Sequence, residues 1–310
     1  MPASYAYLGP QGTFTEVALR TLPEVATREL VPMVSVPAAL DAVRNGEAEA
    51  AFVPIENSVE GGITTTLDEL VAGKPLMIYR EVLLSITFAL LVRPGTKLSE
   101  IKTVTAHPAA QPQVRNWMKA NLPVVLWESA ASNADGARLV QEGRYDAAFA
   151  GEFAAGPYGL EALETGIHDA ENAQTRFVLV GRPARPAAPT GADKTSVVLW
   201  PRDDHPGGLR DLLGEFATRG INLMLLQSRP TGEGIGNYCF CVDAEGHISD
   251  RRVADALMGL KRICHQVRFL GSYPRADVGV EGVPAPLRGT SDGEFVAAAD
   301  WVARCHDGRF

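Results

Sequence analysis

Three polar segments hold the residue types best suited to small-molecule chemistry: Gly9-Pro10-Gln11-Gly12-Thr13-Phe14-Thr15, Val53-Pro54-Ile55-Glu56-Asn57-Ser58-Val59-Glu60-Gly61-Gly62, and Ala131-Ser132-Asn133-Ala134. Each follows a short apolar run that reads as a strand. In α/β sheets the loops at the carboxyl ends of strands gather into one crevice, where small ligands bind. Thr13 stands three residues before Glu16, and Ser132 three before Asp135, the spacing of a helix-capping box. Helices that start there turn backbone N–H groups and a favourable dipole outward, a combination suited to a carboxylate. A cap that only stabilises its helix explains either residue just as simply. The pattern leads to an anion-binding cleft and leaves the anion unnamed.

The elements that must position these segments alternate along the chain. Strands are expected at residues 5–8, 30–34, 50–53, 77–92, 103–105, 124–127, 146–149 and 176–180, with amphipathic helical stretches between most of them, which predicts α/β architecture. Arg182 to Lys194, RPARPAAPTGADK, breaks this periodicity and reads as a linker between two domains. After it the expected order is strand 196–199, helix 208–218, strands 221–228 and 237–242, helix 250–261 and strand 266–271, a βαββαβ module. Leu209, Leu212, Leu213 and Phe216 fall at i, i+3, i+4 and i+7, as do Val253, Ala256, Leu257 and Leu260, so each helix can lay one apolar stripe on the same side of the sheet. The other side must be hidden or polar, and pairing with a second copy is one solution. From Asp277 the chain is rich in Gly and Pro before a last expected helix at 292–302.

Composition narrows the function classes. The 310 residues, 46% hydrophobic and 21% charged, suffice for two cored domains. A net charge of −8 without runs of Lys or Arg argues against nucleic acid, which requires clustered cations. The start MPASYAYLGPQG lacks a signal-peptide pattern, and the longest apolar stretch, Val82 to Val92, is broken by Ser85 and Thr87 and is too short to span a bilayer. A cytoplasmic protein without membrane partners is expected. Four cysteines are too few for a disulfide framework, and Cys239 and Cys241 would share one strand face. The scattered histidines offer no ligand spacing, so no metal is expected.

Tyr7 to Thr15, Val53 to Gly61 and Asn172-Ala173-Gln174-Thr175-Arg176-Phe177, in this order and followed by the βαββαβ module, resemble the signature segments of the prephenate dehydratase family, a likeness that runs to Arg275. The resemblance implies a two-subdomain α/β cleft resembling a type II periplasmic binding protein, followed by a ferredoxin-like ACT domain. The expected division is a catalytic domain at 1–182, with the chain crossing near 79–84 and returning near 172–180, a linker at 183–194, the ACT domain at 195–275 and a tail of unassigned role at 276–310.

The implied reaction is loss of carbon dioxide and the ring hydroxyl from prephenate, giving phenylpyruvate. The ring takes up the electrons released by decarboxylation, so no cofactor is expected. The enzyme must hold two carboxylates, assist departure of the hydroxyl and keep the ring carboxylate poorly solvated. Thr175 of the Thr-Arg-Phe motif is the implied catalytic residue, acting by hydrogen bonding in the transition state. Thr13, Asn57, Ser58, Gly61, Ser132, Arg176 and Phe177 are the implied substrate contacts. Alternatives stand beside several: Asn57 and Ser58 also suit a turn, and Phe177 suits a core. Consecutive strand residues face opposite ways, so Arg176 either anchors a carboxylate or is structural. Glu56 and Glu60 would repel a dianion unless paired or turned away. The family commonly has Gln directly after His-Pro; this chain has Ala109 after His107-Pro108, with Gln111 and Gln113 further on.

The ACT resemblance implies an amino-acid site, with phenylalanine as effector, at Gly207, Gly208 and Leu209 and at Gln227, Ser228, Arg229 and Pro230, in a homodimer or homotetramer. Arg210 and Gln227 depart from the family pattern, the latter removing an acidic residue. Two rival readings remain: an arogenate dehydratase, and a binding protein whose cleft holds a small acid without chemistry.

Overall fold

The computed structural model describes residues 3–170, 172–203, 205–232, 234, 236–278 and 282–309. It divides into two compact units, Met1–Thr66 with Val82–Leu179, and Leu67–Glu81 with Val180–Phe310. Residues 279–281 and 310 of the expected tail lie outside the described residues.

The chain begins with β1 (Ser4–Leu8), α1 (Phe14–Arg20), β2 (Glu29–Met33), α2 (Val36–Arg44), β3 (Ala50–Asn57), the short β4 (Gly61–Gly62), α3 (Thr64–Val71) and β5 (Met77–Ser85). It continues through β6 (Phe88–Val92), β7 (Thr103–Ala106), α4 (Gln111–Asn121), β8 (Leu126–Ser129), α5 (Asn133–Gln141), β9 (Ala147–Ala150), β10 (Glu161–Ile167) and β11 (Gln174–Gly181). These strands form two sheets, ordered β2-β1-β3-β11-β5 with β4 paired to β3, and β10-β6-β9-β7-β8. In the first sheet β1 pairs in parallel with β2 and β3; in the second, β7 pairs in parallel with β8 and β9. Parallel neighbours put their carboxyl ends on one side, which is where the helix-start segments lie.

Tyr5, Tyr7, Leu19, Phe52 and Phe177 anchor the core of the first sheet, and Phe88, Leu90, Val104, Val114 and Phe149 that of the second. The single strand expected at residues 77–92 is two strands, because β5 ends in the first sheet and β6 begins in the second. The chain turns between them at Ile86, whose N–H donates to the Ala173 carbonyl at 2.8 Å. β10 escaped the pattern reading. Its segment EALETGI is largely exposed, and its register against β6 is irregular, so it lacks the alternation that marks a half-buried strand.

The second unit contains β12 (Asp193–Pro201), α6 (Gly208–Ala217), β13 (Leu223–Pro230), β14 (Tyr238–Glu245), α7 (Arg251–Ile263), β15 (Cys264–Pro274) and α8 (Asp292–His306). The sheet is antiparallel in the order β13-β14-β12-β15, the split βαβ arrangement expected. Asp193 and Lys194 belong to β12 rather than to the linker. Leu212, Phe216, Val253, Ala256 and Leu260 from the helices meet Val197, Leu199 and Val242 from the strands.

The opposite face of this sheet is partly covered by the chain itself. Segment 67–81 supplies Glu81, which holds Lys194 Nζ at 2.9 Å with both side chains nearly inaccessible, at 1% and 5% exposure. Arg268 Nη1 donates to the carbonyls of Leu70 and Ala72, each at 3.1 Å. Gly271 is required here: a Cβ at this position would lie 2.3 Å from the Ile78 carbonyl oxygen, and its φ of +137° disfavours other residues. The need to hide this face, which pointed to a second copy, is therefore met in part within one chain.

A buried pair broken on one side leaves a stranded charge, whereas removing both sides is far cheaper. Glu81→Leu is expected to cost about 3–5 kcal/mol, and Glu81→Leu with Lys194→Met to recover most of it, as read by denaturant unfolding.

Candidate active site

A cavity of about 850 Å³ lies within the first unit, lined by residues that follow strands of both sheets. Thr13, Asn57, Ser132, Thr175 and Phe177 line it; Ser58, Gly61 and Arg176 are not among its lining residues.

Thr175, second in β11, is 8% exposed. Asn57, the last residue of β3, donates from Nδ2 to Thr175 Oγ1 at 3.0 Å. The amide cannot be turned round, because its oxygen accepts from the N–H groups of Val59 and Glu60 at 2.8 and 3.3 Å. Asn57 thus occupies a lone pair of the Thr175 hydroxyl and leaves the hydroxyl proton to be given elsewhere. Next to this contact Ser58 pins the two strands: its N–H donates to the Gln174 carbonyl and its Oγ accepts from the Gln174 N–H, both at 2.9 Å. Ser58 closes the strand pair rather than facing the cavity.

The alternation of β11 separates Thr175 and Phe177 from Arg176. Arg176 is 4% exposed and its Nη1 lies 3.3 Å from Glu56 Oε2, so these two charges are paired with each other. Phe177 stacks on Phe52 with ring centroids 5.6 Å apart and contributes a flat apolar wall. Phe14 packs edge-on against Phe88 and Phe153, at 5.8 and 5.1 Å, while Tyr158 donates its hydroxyl proton to the Gln11 carbonyl at 2.7 Å. These contacts hold the Gly9 to Thr13 loop, on the first sheet, against residues of the second.

Several helix starts open on the cavity. Thr13 caps α1, Ser35 caps α2 and Ser132 caps α5, each hydroxyl accepting from the N–H three residues on, at 3.3, 3.3 and 2.9 Å. Asn133 and Ala134, the first residues of α5, line the cavity, and N–H groups at such positions have no intrahelical acceptor. Arg138 is the sole Lys or Arg among the described lining residues. Asp135 holds its Nη2 at 2.8 Å and Glu142 its Nη1, so the guanidinium is already balanced. The site therefore attracts an anion with backbone dipoles and one tethered guanidinium rather than with excess positive charge.

His107, Gln113 and Glu60 add to the polar lining; of the two glutamates, Glu56 is paired with Arg176 and Glu60 borders the cavity. His107 Nδ1 accepts from the Ala109 N–H at 3.2 Å, which places the proton of a neutral imidazole on Nε2. Partial burial lowers its pKa, outweighing the opposing pull of Glu60, so the ring is a neutral donor at pH 7. Gln113 is 4% exposed; its Nε2 donates to the Ala109 carbonyl at 2.8 Å, and its Oε1 has no hydrogen-bond partner among the described residues. A buried acceptor of this kind is set for a ligand donor. Sequence reasoning passed over Gln113 because the residue after Pro108 is Ala109, and over Ser35, although Ser35 followed by Pro37 is a legible helix start. Among the described residues no His, Cys, Asp or Glu cluster suits a metal, and no helix is long and apolar enough to cross a membrane.

In the second unit Gly207 caps α6 with a φ of +96°, and Leu209 is exposed on its first turn. His205 and Arg210 both pair with Asp211, at 3.1 and 3.2 Å, which raises the His205 pKa and lowers that of Asp211. Gln227, Ser228, Arg229 and Pro230 end β13, and Arg229 holds Asp68 of α3 through Nε and Nη2 at 2.6 and 2.8 Å.

Comparison with known proteins matches this architecture. The family model described as prephenate dehydratase covers residues 5–185, and that of the ACT domain covers residues 202–262. A relative from Mycobacterium marinum named prephenate dehydratase is 45% identical, over 99% of this chain and 97% of its own. The crystal structure of a prephenate dehydratase from Arthrobacter aurescens in complex with L-Phe is 46% identical with a TM-score of 0.92, covering 98% of this chain and 100% of that one. A protein described as a novel type of quorum-quenching acylase is 29% identical with a TM-score of 0.75, covering 87% of this chain and 97% of that one. With both halves matched in order and the likeness running the full length, the chain belongs to the prephenate dehydratase family.

Proposed function

We propose that this chain converts prephenate to phenylpyruvate in phenylalanine biosynthesis, with Thr175 as the catalytic residue, and that it answers to phenylalanine through its ACT domain. The observation that carries the reading is the Thr175 hydroxyl held by the Asn57 amide at 3.0 Å in the cavity wall. In the reaction the bond from the ring to its carboxylate breaks and releases carbon dioxide. The electron pair enters the ring, and the bond to the ring hydroxyl breaks as aromaticity is gained. One proton is taken up, so the hydroxyl departs as water.

Each residue then has a task. Thr175 gives a hydrogen bond to the departing oxygen as negative charge grows on it, a contact stronger in the transition state than before it. Gln113 Oε1 accepts from the substrate hydroxyl while it still carries its proton, which orients the leaving group. The helix starts at Ser35 and Ser132, with Thr13 and Arg138, take the carboxylates. Phe14, Ile86, Phe88 and Phe177 form an apolar lining that solvates the ring carboxylate poorly, favouring loss of neutral carbon dioxide. Ser58 and Arg176 support β3 and β11 instead of touching substrate.

Acyl hydrolysis by Thr175 fits less well. A threonine nucleophile needs a base to remove its proton, whereas the Asn57 nitrogen beside Thr175 is a donor. The effector half of the proposal is supported by the Arthrobacter aurescens relative, which was crystallised with L-Phe. We propose further that the chain acts as a cytoplasmic homodimer or homotetramer, with catalytic residues 1–182, a linker that ends where β12 begins, regulatory residues from there to 275 and a tail after them.

Phenylpyruvate formation by the purified protein, assayed with prephenate in chelator with and without phenylalanine, tests the activity; arogenate in parallel tests the substrate. Thr175→Ala is expected to lower kcat by about 10²-fold or more, and Thr175→Ser to retain most of it. Near-normal turnover by folded Thr175→Ala would sink the assignment. Gln113→Leu is expected to raise KM about tenfold with little change in melting temperature, because loss of its bond to the Ala109 carbonyl is offset by removal of a buried oxygen unpaired in the free protein.

A further inference from the structure

We infer that Arg229 and Asp68 form the tether through which the effector-sensing sheet controls the helix leading into the catalytic cavity. The inference rests on the proposed regulation by phenylalanine and adds its route. Arg229 belongs to the Gln227 to Pro230 segment that the ACT resemblance assigns to the effector. Two of its donors are instead spent on one carboxylate: Nε on Asp68 Oδ1 at 2.6 Å and Nη2 on Asp68 Oδ2 at 2.8 Å. This parallel geometry fixes direction as well as distance, unlike a single-point ion pair.

The same helix is gripped again at its end. Arg268 on β15 donates to the carbonyls of Leu70 and Ala72, acceptors left open at a helix C-terminus where a cation is also favoured by the dipole. Thus β13 and β15, the two edge strands of the sensor sheet, each hold α3 by an arginine. Gly271 on β15, where a Cβ would meet the Ile78 backbone at 2.3 Å, leaves no slack between that strand and the chain just after the helix.

The other end of α3 reaches the chemistry. Thr65, three residues before Asp68 and so one turn away on the same helical side, lines the cavity, as does Ile63 just before the helix. Asn57, which orients Thr175, ends β3, separated from α3 by the short β4. An effector that displaces Arg229 would therefore act on a helix whose first turn is part of the cavity wall. The effect requires that phenylalanine favour one state of this helix over another.

Asp68→Asn keeps the shape of the side chain and loses the charge, and Asp68 has no part in the catalytic machinery. Steady-state turnover of prephenate by the full chain with and without phenylalanine, together with calorimetric binding of phenylalanine, tests the tether. The expected result is near-wild-type basal kcat, measurable phenylalanine binding, and an effect of phenylalanine on turnover reduced about fivefold or more, the lower end of typical coupling between sites. The charge swap Asp68→Arg with Arg229→Asp is expected to restore part of the effect. Wild-type-like regulation in Asp68→Asn would overturn the tether alone, and loss of phenylalanine binding would overturn it by making Asp68 an effector ligand. A wild-type chain indifferent to phenylalanine would overturn both the tether and the proposed regulation.

Discussion

The catalytic reading depends on a side-chain amide whose two ends cannot be exchanged. The Asn57 oxygen is used by the N–H groups of the turn that follows β3, so its nitrogen must face Thr175. A threonine hydroxyl is a weak acid, and an enzyme gains most from it when its proton points at the growing charge without prior reorganisation. The contact joins residues 118 positions apart in sequence. Its accuracy therefore rests on the neighbouring strands β3 and β11, on the Ser58 and Gln174 backbone pairing beside it, and on the Phe52 and Phe177 stack beneath. The Glu56 and Arg176 pair belongs to the same support: it neutralises two charges that would otherwise perturb a dianion site.

The electrostatic design of the cavity explains how a chain of net charge −8 can take an anionic substrate. Helix starts supply partial positive charge at short range without adding a titrating group, and Arg138 in the lining is already held in place by acidic neighbours. Binding therefore depends on geometry more than on net attraction. The Phe14 contacts and the bond from Tyr158 to Gln11 serve that geometry by keeping the first helix-start loop in register with the second sheet.

Local signals carried much of this. Apolar alternation and helix stripes located most strands of the first unit and the whole βαββαβ order of the second, because those elements bury one face against a core. Capping residues were legible because their spacing is local. β10 was not, since its exposed residues leave no alternation. Nor could sequence show that Ser58 pairs strands, that Gln113 keeps a buried oxygen unpaired, or that Arg229 turns toward Asp68, each a matter of residues far apart in the chain. The orientation of Arg176 was framed by the alternation rule as a choice; the Glu56 contact is tertiary information.

The most direct test of the Asn57 and Thr175 arrangement is kcat at saturating prephenate and pH 8 for Asn57→Asp compared with Asn57→Ala. Aspartate has nearly the shape of asparagine but only accepts, so it would draw the Thr175 proton toward itself and away from substrate. The account predicts that Asn57→Asp is the slower of the two, by about tenfold, despite its closer shape. An aspartate variant clearly faster than the alanine variant would contradict it, and would mean that Asn57 fills space instead of setting the direction of the Thr175 hydroxyl.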